Sequence, residues 1–111
     1  MKIITAMVQP FMLTKVTQAL ERIEGFPGMT VMNVRGFGRR MSPREEKEAR
    51  IDEFHEKVRI EIVALDEMVE DIVEIVISSA HTGNDGDGKV FVWDVERAAR
   101  IQTGETGEAA L

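Results

Sequence analysis

The chain has no cysteine and no tyrosine, only two histidines, three prolines and one tryptophan. Without cysteine there are no disulfides and no thiolate metal sites, which fits a reducing compartment. His55 and His81 have no partner at metal-ligand spacing, so surface or structural roles are expected of them. No stretch approaches the roughly 18 uncharged residues of a membrane span. The opening MKIITAMVQPF lacks the longer apolar region and small-residue cleavage site of a signal peptide. Cytoplasmic location is the expectation. A basic excess is also lacking: the net charge is −6, which argues against a nucleic-acid binder. Small anions stay open, because a phosphate site depends on a few local donors. No Ser-His-Asp set and no paired carboxylates stand out, so no enzyme is expected.

What is present suits one compact soluble domain: 111 residues, 43% hydrophobic and 31% charged. A core of this size is modest, and contacts between copies could supply part of its stability. Lys2 to Val8 is short and rich in β-branched residues, which predicts a strand that Pro10 ends. From Phe11 to Glu24, the residues Met12, Val16, Ala19, Leu20 and Ile23 share one helical face, and Gly25-Phe26-Pro27-Gly28 ends the helix. Thr30 to Phe37 reads as a second strand. The stretch Gly38–Glu56 is dense in charges of both signs with almost no apolar residues, which predicts a long loop of the kind that carries function. Lys57 to Ala64 alternates strictly and is the clearest strand. Asp66 to Ser79 repeats Val69, Ile72, Val73 and Val76 at helical spacing, with Asp66 as an expected N-terminal cap. Lys89 to Val95 predicts the last strand, and the polar tail has no core face and is expected to be mobile.

The order β-α-β-β-α-β is the ferredoxin-like α+β plan, an antiparallel sheet with both helices on one face. The other face then needs cover, and association through it is expected, with Ile60, Ile62, Phe91 and Trp93 as strand residues that one face or the other must hide.

Two glycine clusters could hold an anion. Gly83-Asn84-Asp85-Gly86-Asp87-Gly88-Lys89 has most of the phosphate-loop spacing, but Val90 stands where a magnesium-binding hydroxyl belongs and a strand follows instead of a helix. Its backbone N–H groups and Lys89 could still meet a phosphate; a plain Gly/Asn/Asp turn is the alternative. The acidic spacing of Asp85 and Asp87 does not match a calcium loop. Gly36-Phe37-Gly38-Arg39-Arg40 pairs close backbone approach with two guanidiniums, as phosphate clamps or as solvated loop arginines. Arg97 and Arg100 leave the same two readings open.

The stretches QPFMLTKVTQAL, GMTVMNVRGFGR, KVRIEIV, HTGNDGDGKVFV, VERAARI and TGETGE together resemble the PII nitrogen-regulatory signal protein family over nearly the whole chain. The resemblance implies a homotrimer with ATP and ADP competing for clefts between subunits, and a protruding T-loop, here Gly38–Glu56, read by a partner protein such as a membrane transporter. By the same resemblance Gly86, Asp87, Gly88 and Lys89 would hold phosphates together with Arg39 and Arg100. Gly36, Phe37 and Gly38 would line the cleft. Gly28, Met29, Thr30 and Glu61 would face base or ribose from the adjoining subunit, and Lys57 would contact an effector. No resident cofactor is implied beyond the nucleotide ligand.

Three positions depart from the family pattern. Arg40 replaces the Gln that helps hold a 2-oxoglutarate–magnesium–ATP assembly, and a guanidinium does not coordinate magnesium. Gln102 replaces a second arginine and removes a phosphate contact. The absence of tyrosine excludes tyrosine modification in the loop, where Ser42 is the only hydroxyl. The loop resembles that of ammonium-transporter regulators little, which points toward a divergent branch, of which bicarbonate-sensing and metal-efflux-associated forms are examples.

Overall fold

The computed structural model describes residues 1–37 and 54–111. These form strand β1 (Lys2–Val8), helix α1 (Leu13–Glu21), strand β2 (Thr30–Gly36), strand β3 (His55–Ala64), helix α2 (Val69–Ala80) and strand β4 (Gly88–Asp94). One antiparallel sheet holds the strands in the order β2-β3-β1-β4. This is the expected ferredoxin-like α+β arrangement.

Each helix forms where its apolar spacing suits the sheet. In α1, Val16 and Leu20 are fully buried one turn apart. Short 3₁₀ turns precede both helices, Pro10–Met12 and Asp66–Met68. Proline suits the first, since the N–H it lacks would have no partner there. In α2, Val69, Ile72, Val76 and Ala80 are buried. The acids Asp66, Glu67, Glu70 and Asp71 lie at its start, where the positive end of the helix dipole favours them. Asp66 does not cap the helix: its Oδ1 instead accepts a hydrogen bond from the Met1 amino nitrogen at 2.8 Å.

The core lies between helices and sheet. Ile4, Ala6 and Val8 of β1 and Val58, Ile60, Ile62 and Ala64 of β3 pack with Val16, Leu20, Ile72 and Val76. Both central strands hide this face, so Ile60 and Ile62 belong to the core. The opposite face alternates with it and carries Ile3, Thr5 and Met7 beside Lys57, Arg59, Glu61 and Val63, with Lys89, Phe91 and Trp93 on the β4 side. Phe91 and Trp93 are each 53% exposed. Thr5 is buried in the centre of this face, and its hydroxyl has no hydrogen-bond partner among the described residues.

The loop end and the tail differ most from expectation. His55 and Glu56 extend β3 rather than the loop, because Gly36 and Arg35 of β2 pair with them. The tail forms a small hairpin through an Ala99–Thr106 bridge, with Gly104 N–H donating to Arg100 O and Gly107 N–H to Ala98 O. Local backbone hydrogen bonds organise it without a hydrophobic face. Among the described residues, no helix is long and apolar enough to cross a membrane.

Candidate functional site

The antiparallel register gathers one set of candidate residues at a single end of the sheet. Val8 at the end of β1 pairs with both Val58 and Gly88, and Val34 of β2 lies opposite Lys57. The turn 81–88, Lys57, and Gly36 with Phe37 therefore share this end. A Cβ placed on Gly36 would lie 3.8 Å from the Lys57 side chain. Phe37 stacks obliquely on Phe54, ring centroids 5.9 Å apart. A cleft of about 370 Å³ opens beside them, lined by Pro10, Asn33, Val34, Arg35, Glu56 and Lys57.

The turn is built around the Asp87 carboxylate. Its Oδ2 accepts the backbone N–H groups of Thr82 at 2.7 Å and Gly83 at 2.9 Å, and its Oδ1 accepts the Thr82 hydroxyl. His81 Nδ1 stands 3.8 Å away. The Thr82 hydroxyl and amide hold the Asp87 carboxyl below the usual carboxylate range, with Gly83 and His81 adding to the effect. Asp87 thus shapes the turn from within, as an anion would hold it, rather than reaching toward a ligand. Sequence spacing offered a signal for this: a Thr and an Asp bracketing a glycine-rich turn are able to bond each other's backbone.

On the other side, the Gly86 carbonyl accepts Lys57 Nζ at 2.6 Å and Gln9 Nε2 at 2.8 Å. Gln9 was not among the expected residues; a lone amide between a strand and a proline carries no pattern. Gly88, with φ +118°, lies so close to β1 that an added Cβ would come within 1.7 Å of the Met7 carbonyl oxygen. Only glycine allows β4 to start this close to β1. Lys89 is exposed and makes no ion pair among the described residues.

The remaining candidates are not gathered here. Thr30 pairs with Glu61, and Glu61 with Thr5, three registers along β1 from Val8, where the turn joins the sheet at Gly88. Gly28 and Met29 lead into that same point of β2. The Glu61 carboxylate is engaged by Arg59, at 3.0 Å from Nε and 2.8 Å from its terminal nitrogen. Arg100 makes its contacts inside the tail: its guanidinium donates to Leu111 O at 2.8 Å and stands 4.0 Å from Glu105. Within one protomer it is a tail residue, not a partner of the turn, because β4 carries the chain from the turn to the far end of the sheet. Gly38, Arg39 and Arg40 lie outside the described residues.

Among the described residues no group of His, Asp and Glu is arranged to hold a metal ion. The site's chemistry is that of hydrogen-bond donors and cations around a glycine-rich turn, without a nucleophile and base in contact among the described residues.

The family model for nitrogen regulatory protein P-II matches residues 1–105. The chain is 47% identical to "Nitrogen regulatory protein P-II" of Haemophilus influenzae over 114 aligned positions, covering 100% of both chains. It is 46% identical to "Nitrogen regulatory protein P-II 1" of Escherichia coli K12, again over 100% of each. Among solved structures, Arabidopsis thaliana PII bound to citrate superposes with a TM-score of 0.81 at 38% identity, covering 99% of this chain and 91% of that one. The chain belongs to the nitrogen regulatory protein P-II family, whose members are signal-transduction regulators rather than enzymes.

Proposed function

We propose that the protein senses adenine nucleotides. ATP or ADP binds with its phosphates against Gly86–Lys89, in a cleft between subunits of a homotrimer, and the occupied state sets the T-loop that a partner protein reads. The partner is a membrane transporter or an enzyme regulated by loop contact. Arg39 of the T-loop and Arg100 would complete the phosphate contacts, with Gly38 beside them. Arg40 and Lys57 would link the ligand to the loop base. Gly28, Met29, Thr30 and Glu61 would meet the base or ribose from the neighbouring subunit, which accounts for their position apart from the turn.

The observation that carries this reading is the convergence of Gly36, Phe37, Lys57 and the Gly86–Lys89 turn at one end of the sheet. Glycine backbone, a lysine amine and a neighbouring strand end are the components of a phosphate cradle. The exposed aromatics of the open sheet face support the trimer, since a second copy is the simplest cover for them. A relative of the same fold holds citrate, a small polyanion.

One observation favours a second reading. The turn's first two amides are already satisfied by its own Asp87 carboxylate, as they would be in an interaction module that needs no ligand. Isothermal titration with ATP, ADP and AMP separates the two. Heat of binding with at least one nucleotide is expected, and no heat with any of the three ends the sensor reading.

A further inference from the structure

Gln9 is anchored before its side chain is considered. Its carbonyl accepts the Met12 N–H at 2.9 Å, and its backbone, φ −67° and ψ 139°, has the extended form that a following proline imposes. From this fixed base Nε2 crosses to β4's leading turn and donates to Gly86 O. Lys57 Nζ, from β3, donates to the same oxygen. A carbonyl oxygen has two lone pairs, so two donors, one from β3 and one from the residue that follows β1, satisfy it fully.

The consequence lies on the opposite side of that peptide. No peptide bond among the described residues is cis. The Gly86 C=O and the Asp87 N–H therefore belong to one plane and point in opposite directions. Holding the oxygen toward β1 and β3 turns the N–H away from them. Gly86 has φ +89°, and glycine offers little steric resistance to rotation of its peptide. Left free, that peptide could turn over and present an oxygen where an anion needs a donor. A Cβ at Gly86 would come within 3.1 Å of the Gln9 amide nitrogen, so the turn packs directly on its support.

We propose that Gln9 is a positioning residue of the anion site, holding the Gly86–Asp87 peptide so that the turn offers an N–H, not a C=O, to a phosphate group. This rests on the nucleotide reading of the turn. Gln9 touches no ligand in this role; it acts through the peptide it fixes. Its amide is neutral, so it orients the carbonyl without adding a charge that would itself bind the anion.

The test compares wild type with Gln9→Met, which keeps length but removes the donor, and with Gln9→Lys, which restores a donor of similar reach. ADP and adenosine are titrated into each, and amide NMR spectra are recorded without nucleotide. Gln9→Met should weaken ADP by about 2- to 10-fold, the usual worth of one hydrogen bond, with adenosine affinity unchanged. In the nucleotide-free protein the Asp87 amide resonance should shift in Gln9→Met and return toward its wild-type position in Gln9→Lys. Equal ADP affinity in Gln9→Met overturns the proposal, as does an equal loss for ADP and adenosine, which would mark a general structural role. If wild type binds no ADP, the sensor reading fails and the anion role with it. The Asp87 amide then still shows whether Gln9 orients the peptide, so the two failures are told apart.

Discussion

Lys89 is the side chain on which nucleotide affinity should depend most directly among the described residues. It follows the glycine turn, is exposed, and has no ion-pair partner among those residues to compete for its charge. A hydrogen bond to a charged group contributes roughly 1.5–3 kcal/mol. Lys89→Ala should therefore raise the ADP dissociation constant by about 10- to 150-fold in calorimetry; an unchanged constant would remove Lys89 from the site. Asp87 makes a different prediction, since it works within the turn. Its carboxyl is held below the usual range mainly by the Thr82 hydroxyl and amide. A lowered folded value means that its stabilising effect is complete above the unfolded value of about 3.9 and is lost as pH falls through the folded one. Relative to the rate of an unstructured amide at the same pH, the Thr82 and Gly83 amides should accordingly lose protection as pH falls below the unfolded value of about 3.9 and through the lower folded one. Protection at these amides that stays constant through that range would show that the carboxylate does not hold the turn.

Elements, more than residues, decide where those side chains meet. The junction of β1 and β4 depends on Gly88, where any Cβ would fall on the Met7 carbonyl and a positive φ adds strain. Gly88→Ala should cost about 2–5 kcal/mol in urea unfolding, compared at equal protomer concentration. A loss under about 0.5 kcal/mol, the scale of an ordinary surface substitution, would contradict the close approach. Much of this level was legible in the sequence. The strict alternation of β3 and the helical spacing of Val69, Ile72 and Val76 marked the elements, and their β-α-β-β-α-β order pointed to the ferredoxin-like plan. The extension of β3 to His55 was not legible, because charged residues paired across an antiparallel ladder look like loop until the partner strand is known. The tail hairpin escaped for a similar reason: its order comes from backbone hydrogen bonds around Gly104 and Gly107, which leave no apolar pattern. Gln9 was invisible because its partner, a backbone carbonyl 77 residues away, has no sequence signature. Gly28, Met29, Thr30 and Glu61 could be assigned to a binding role only through family resemblance, since nothing in one protomer joins them to the turn.

For the whole molecule, the sheet leaves one face packed under helices and the other open. That open face mixes Phe91, Trp93, Ile3 and Met7 with the Arg59–Glu61 ion pair and a buried Thr5 hydroxyl lacking a partner among the described residues. Such a face suits contact with further copies, which would also bring Thr30 and Glu61 of one subunit toward the turn of another. In the proposed trimer, residues separated within one chain would meet at a subunit boundary. Native mass spectrometry of the intact protein with and without ADP tests both together. A trimer that takes up as many as three nucleotides, one for each subunit boundary, is the expected result. A monomer, or a trimer that acquires no nucleotide at saturating ADP, would contradict it.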